Sequence, residues 1–214
     1  MLGVLVCYAS FHEFMELQSD NFRNHIKCPY MVFSKLASVH PDPSTGHQEN
    51  LNELLQAAWD RCDSFLIIDN DMIFLNDFTE PSEDCWYLPQ KRNDYEYAWA
   101  NLLYFKKHEL MRRIWFENGS DSGGSTWRYL LQTPNKRRIQ MDDQGFDAYR
   151  KDIERINKQY GLGNWHERYI LNGTEIFHFR AMSNWTNYPK DYIKAKEKMI
   201  LEHVRYKNEM DSAN

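Results

Sequence analysis

FLIIDNDMIFL, residues 65–75, is the stretch that decides how the chain is read. Phe65, Leu66, Ile67 and Ile68 are apolar without alternation, the pattern of a strand covered on both faces of a sheet. Two carboxylates, Asp69 and Asp71, follow with only Asn70 between them. An unpaired buried charge costs several kcal/mol, so such a strand should not end this way without a compensating partner. A divalent cation is a suitable partner, because hard carboxylate oxygens suit Mg or Mn. If the strand continues, side chains at i and i+2 share a face; if it turns at Asn70, they converge. The alternative is a strand-end turn without chemistry, for which Asp and Asn are favoured.

Working towards the N-terminus, Leu2 to Cys7 reads as a first strand and His12 to His25 as a helix. Tyr30 to Phe33 is a second strand, and the run from His40 to Gly46 is a loop by its Pro, Asp and Gly content. Asn50 is then placed to cap a helix, with Glu53 as its capping-box partner. That helix carries Leu51, Leu54, Leu55, Ala58 and Cys62 as a core stripe, with Asn52 and Gln56 on another face. The order β-α-β-α-β implies an α/β fold with a mainly parallel sheet flanked by helices. Ligands of such sheets collect beyond the carboxyl ends of the strands, where Asp69 and Asp71 lie.

Towards the C-terminus the pattern is less regular. Strands are expected over 84–88 and 98–105, and helices over 108–116 and 126–132. The Gly/Ser/Asp run 118–125 is long enough for a mobile flap, and Lys136-Arg137-Arg138 reads as a solvated loop. Phe146, Tyr149, Ile153, Ile156 and Tyr160 mark an amphipathic helix stopped by Gly161. A short strand over 174–179 and a charged helix over about 189–210 complete the chain. The expected organisation is one domain over 1–188, with 189–214 packing on it or leading to a further domain of a longer chain.

The 214 residues are 42% hydrophobic, enough for a real core in one large domain. A net charge of -5 argues against a general nucleic-acid binder, which would show a basic face. The 7 Trp, 13 Tyr and 12 Phe are numerous, and sugar rings stack on such side chains. Cys7, Cys28, Cys62 and Cys85 are widely spaced and mostly in apolar segments, as buried free thiols are, which points to a reducing compartment. The N-terminus lacks a basic leader and no run reaches the ~18 apolar residues of a membrane span. The expected location is therefore the cytoplasm. The sequons at Asn118, Asn172 and Asn184 then read as chance matches.

Two further polar groups lie beside apolar segments. His178 is flanked by aromatics in Thr174-Glu175-Ile176-Phe177-His178-Phe179; it is either a satisfied core histidine or a third metal ligand. Asp142 and Asp143 precede the helix near Phe146, with Gly145 allowing close backbone approach. They are either an N-cap with a favourable helix-dipole charge or a catalytic carboxylate facing the metal.

Taken together, Ile67-Ile68-Asp69-Asn70-Asp71 after a β-α-β-α-β start resembles the DXD motif of nucleotide-sugar glycosyltransferases with the GT-A fold. Met141-Asp142-Asp143-Gln144 looks like that family's later acidic motif, and Ile176-Phe177-His178-Phe179 is similar to its metal-binding histidine segment. Trp99-Ala100-Asn101-Leu102-Leu103 is similar to the strand that contacts the sugar, without the glycine common there. Within the family, the chain is similar to the N-terminal domain of a multi-domain glycosyltransferase of algal large DNA viruses. A viral protein would act in the host cytoplasm.

The resemblance implies transfer of a hexose or deoxyhexose from a UDP-sugar donor to a glycan hydroxyl. A Mn or Mg ion would be held by Asp71 and His178 with Asp69 nearby. Asp143, or Asp142 beside it, would act on the acceptor hydroxyl. Ala9 and Ser10, Ser34 and Lys35, and Asn52 and Gln56 are the expected nucleotide contacts, with Asp69 and Asn70 beside the diphosphate. Two rival readings remain open. A haloacid-dehalogenase-like phosphatase also uses Asp-x-Asp after a strand, but usually after the first strand and followed by Thr or Gly-Thr. A non-catalytic sugar-binding module would account for the aromatics alone.

Overall fold

The computed structural model of the protein describes residues 1–8, 12–36, 43–92, 94–115, 123–141 and 167–178. The chain opens β1 (Leu2–Tyr8), α1 (His12–His25), β2 (Tyr30–Leu36), α2 (Pro43–Ala58) and β3 (Ser64–Ile68). It continues through β4 (Met72–Phe74), β5 (Cys85–Arg92), β6 (Tyr95–Lys106), α3 (Trp127–Gln132), β7 (Lys136–Arg138), β8 (Gln140–Met141), β9 (Glu167–Leu171) and β10 (Thr174–His178). A six-stranded sheet has the order β2-β1-β3-β6-β5-β7, and a four-stranded sheet has the order β4-β10-β9-β8. In the larger sheet β1 pairs parallel with both β2 and β3, and β7 parallel with β5. Only β6 runs antiparallel to its neighbours β3 and β5. The smaller sheet is antiparallel throughout. The expected mixed, mainly parallel α/β fold flanked by helices is the one observed.

β3 explains why its sequence carries no alternation. Phe65 and Ile67 face one core cluster, with Leu51, Leu55 and Trp59 of the α2 region and Phe105 of β6. Leu66 and Ile68 face a second cluster, with Phe22, Phe74, Tyr169 and Ile176. Burying each such side chain is worth about 1.5–3 kcal/mol. Trp59, Phe65 and Phe105 form a stack with centroid spacings of 5.3 and 5.2 Å. The core stripe expected on α2 is buried from Leu51 to Ala58 and packs on β1 and β2.

Several sequence expectations are corrected. The second helix begins at Pro43, so Asn50 is a buried residue inside it rather than its cap. Proline is tolerated in a first turn, where its missing N–H has no helical partner to lose. The helix expected over 108–116 is only a 3-10 turn at Glu109–Met111. Further along, the backbone is bonded from outside. Ile114 N donates to Asn52 Oδ1 at 2.8 Å and Asn52 Nδ2 donates to Ile114 O at 2.6 Å, while Trp115 N donates to Ser125 Oγ at 3.0 Å. Lys136–Arg138 is an edge strand, its charge a common way to blunt an edge. Arg138 there donates to both Glu96 carboxylate oxygens, at 3.2 and 2.7 Å.

The strand expected over 174–179 is the second arm of a hairpin, β9–β10. Its turn is Asn172-Gly173, with φ of 51° and 80°, the left-handed pair that a two-residue type I′ turn requires. At the C-terminal end of the 118–125 run, Gly123, Gly124 and Ser125 are buried against β6. The helices expected over 146–160 and 189–210 lie outside the described residues. All four cysteines are free thiols. No helix among the described residues is long and apolar enough to cross a membrane.

Candidate metal centre

β3 leaves the large sheet after Ile68. Its last ladder contact is Asp69 N donating to Asn101 O at 2.9 Å, and Met72 N then donates to Asp69 O at 3.2 Å. The chain therefore turns at Asp69-Asn70-Asp71 and enters the smaller sheet as β4. A buried turn must satisfy its carbonyls. Gln18, on α1, does this: its Nε2 donates to both Asp69 O and Met72 O at 2.8 Å. The Tyr8 hydroxyl donates to Gln18 Oε1 at 2.7 Å. One helical turn further along, Asn21 exchanges two hydrogen bonds of 2.8 Å with the Phe74 backbone. The turn is thus fixed from α1 before any ligand is considered.

His178 reaches the same point through sheet register. β10 pairs antiparallel with β4, and His178 lies opposite Met72, next to Asp71. His178 Nε2 is 3.1 Å from Asp71 Oδ1, with side-chain exposures of 4% and 0%. The Tyr169 hydroxyl lies 3.4 Å from His178 Nδ1, which leaves Nε2 as the nitrogen directed at Asp71. One ligand atom each from Asp69, Asp71 and His178 falls within a 4.8 Å group, all three residues buried. Two carboxylates and an imidazole converging in a buried place form a donor set that could hold a divalent metal ion.

Asp69 is held separately. The Asn101 side-chain amide donates to Asp69 Oδ2, while Asp69 Oδ1 faces His47 Nε2 at 3.7 Å. Asn101 stands where the β6 alternation breaks: Ala98 and Ala100 share a cluster with Leu103 and Phe105, and the β5–β6 register slips between Tyr87 and Pro89. Such bulges re-aim side chains beside functional sites. Cys7, on the neighbouring strand, has its thiol pushed up to about 12 by burial and the Asp69 charge, so it stays protonated at neutral pH. Asn101→Ala is expected to weaken divalent-metal affinity about 10–100-fold, as loss of an outer-shell partner does. Metal titration of the variant checks this; wild-type affinity would make the Asn101 contact incidental.

No protein-family model matches the chain, and no curated protein matches it. Among solved structures, the chain is similar to A197 from STIV at 11% identity, over 80% of this chain and 86% of that chain, with a TM-score of 0.36. At that level the likeness carries no functional argument.

The structure brings Asp69, Asn70, Asp71 and His178 together, all buried. Ser34 and Lys35 end β2, where Lys35 lies beside Cys7 in register and pairs with Glu53. Asn52 spends both amide atoms on the Ile114 backbone, and Gln56 is exposed. Ala9, Ser10, Asp142 and Asp143 lie outside the described residues. Gln18, His47, Asn101 and Tyr169 were not singled out as site residues from the sequence. Only the helical pair Gln18 and Asn21, polar residues on the face that also buries Phe22, carried a readable signal.

Proposed function

We propose that the protein is a metal-dependent glycosyltransferase that moves a hexose or deoxyhexose from a UDP-sugar to a glycan hydroxyl. The observation that carries the reading is the buried Asp69/Asp71/His178 group at the carboxyl end of the third parallel strand. That end of an open α/β sheet is where a nucleotide finds a crevice. The aspartate pair follows two β-α units rather than opening the sheet, which separates it from the phosphatase pattern.

Asp71 and His178 are the proposed metal ligands, with Asp69 held beside them by Asn101. Manganese is favoured over magnesium by the imidazole. When bound, the ion supplies a Lewis acid against the charge of the leaving diphosphate. Ser34 and Lys35, near the end of β2, and Ala9 and Ser10, which follow β1 in the sequence, are proposed for the nucleotide side. Asp143, or Asp142 beside it, is proposed to take the acceptor hydroxyl proton in an inverting reaction, or to stabilise the oxocarbenium-like cation in a retaining one.

A thermal-shift screen of nucleotide sugars with and without Mn tests the reading, because a ligand that binds only the native state raises its stability with occupancy. The expected result is a Mn-dependent shift with UDP-sugars, followed by UDP release when a glycan acceptor is added. Phosphate release from simple phosphomonoesters, without any response to nucleotide sugars, would overturn it in favour of the phosphatase.

A further inference from the structure

The metal centre does not end at His178. The Trp99 ring lies 5.9 Å from the His178 ring, centroid to centroid. Tyr97 and Tyr95 continue along the same face of β6, since side chains two apart in a strand share a face. The Tyr95 ring is 6.1 Å from Tyr97 and 5.8 Å from Trp127, and the Arg128 guanidinium sits 4.9 Å from the centre of the Trp127 ring. β3 ends where Ile68 pairs with Leu102, so this part of β6 runs on beyond the carboxyl ends of the parallel strands.

These aromatics differ from the core rings of β3 and β6. Phe65, Phe105 and Tyr104 are fully buried, whereas Trp99, Tyr95, Trp127 and Arg128 remain half-buried. Tyr97, between Trp99 and Tyr95 on this face, is buried, its hydroxyl donating to Gln90 Oε1 at 2.8 Å. The four residue steps from Tyr95 to Trp99 span roughly 13 Å of strand, long enough for a short run of linked sugar rings. A pyranose has an apolar C–H face and a hydroxylated edge. The electron-rich ring faces suit the first, and the Arg128 donors suit the second.

We propose that Trp99, Tyr95, Trp127 and Arg128 form a binding strip for an acceptor glycan, leading its terminal hydroxyl to the metal centre. The reaction at its end rests on the transferase reading; the sugar contact itself does not. Two readouts keep them apart: glycan-array binding without metal, and acceptor KM in Mn-dependent transfer from a UDP-sugar. Tyr95→Ala and Trp127→Ala are expected to raise acceptor KM, or weaken array binding, about tenfold or more. Mn-dependent UDP binding should stay at the wild-type level in both variants, and Trp127→Phe should restore much of the glycan affinity. Glycan binding without any UDP-sugar turnover, lost in both alanine variants, would support the strip while removing the transferase. Wild-type glycan affinity in both folded alanine variants would overturn the strip, as would a wild-type protein that neither binds nor modifies any glycan.

Discussion

Asp71→Asn is expected to leave a folded protein whose melting temperature no longer rises with Mn. In the wild type, a metal at a hundredfold excess over its Kd stabilises the native state by about 2.7 kcal/mol. For a chain of this size that is roughly 5–10 °C in melting temperature. The variant should show none of this shift, because Asp71 is the fully buried carboxylate closest to His178. Without metal, its melting temperature should equal or exceed that of the wild type. The substitution removes one of two carboxylates crowded into a buried place and leaves an amide oxygen that can still accept from His178. A fall of more than about 5 °C without metal would instead make Asp71 a structural partner of His178.

Gly123→Ala is expected to have the largest effect on stability. Gly123 has φ of +101°, and a Cβ there would fall on the Ala98 carbonyl oxygen and within 3.2 Å of Ala100 N. Both are backbone atoms of β6, so no side chain can move aside. Relief requires shifting the turn that holds Thr126, whose Oγ1 accepts from Ala98 N at 2.8 Å and donates to Gly123 O at 2.7 Å. The combined overlap and left-handed strain place the cost at about 4–5 kcal/mol, near the top of single-substitution effects. Domains are stable by only about 5–15 kcal/mol, so much of the fold's margin would be lost. Gly173→Ala is the control: its φ is +80° but nothing lies within 4 Å of the added Cβ. It should cost about 1 kcal/mol, the conformational part alone. Urea denaturation measures both, and equal losses would remove the steric argument.

The β-α-β-α-β start was legible because its signals are local. β3 shows the two-sided burial of an inner strand, and α2 carries its core stripe at helical spacing. Asp69, Asp71 and His178 stood out because charged or titratable groups beside unbroken apolar runs need a reason. What closed around them was not legible in the same way. Asn101 reaches Asp69 through a bulge in β6, and Gln18 fixes the turn from a helix, 51 positions before Asp69. Such pairings depend on sheet order and register, which no local window contains. The helix expected over 108–116 failed for a related reason: the Asn52 side chain takes the Ile114 backbone bonds that a helix would use. The Asn172-Gly173 hairpin is different, since its Asn-Gly turn signal is local and stands in the sequence itself.

The most direct test is calorimetric titration of Mn into the full chain, with and without UDP, alongside Asp71→Asn. Binding at a single site, tightened by UDP and absent from the variant, is the result expected of a metal centre that holds a nucleotide diphosphate. UDP binding that is indifferent to Mn, or Mn binding that survives in Asp71→Asn, would contradict it.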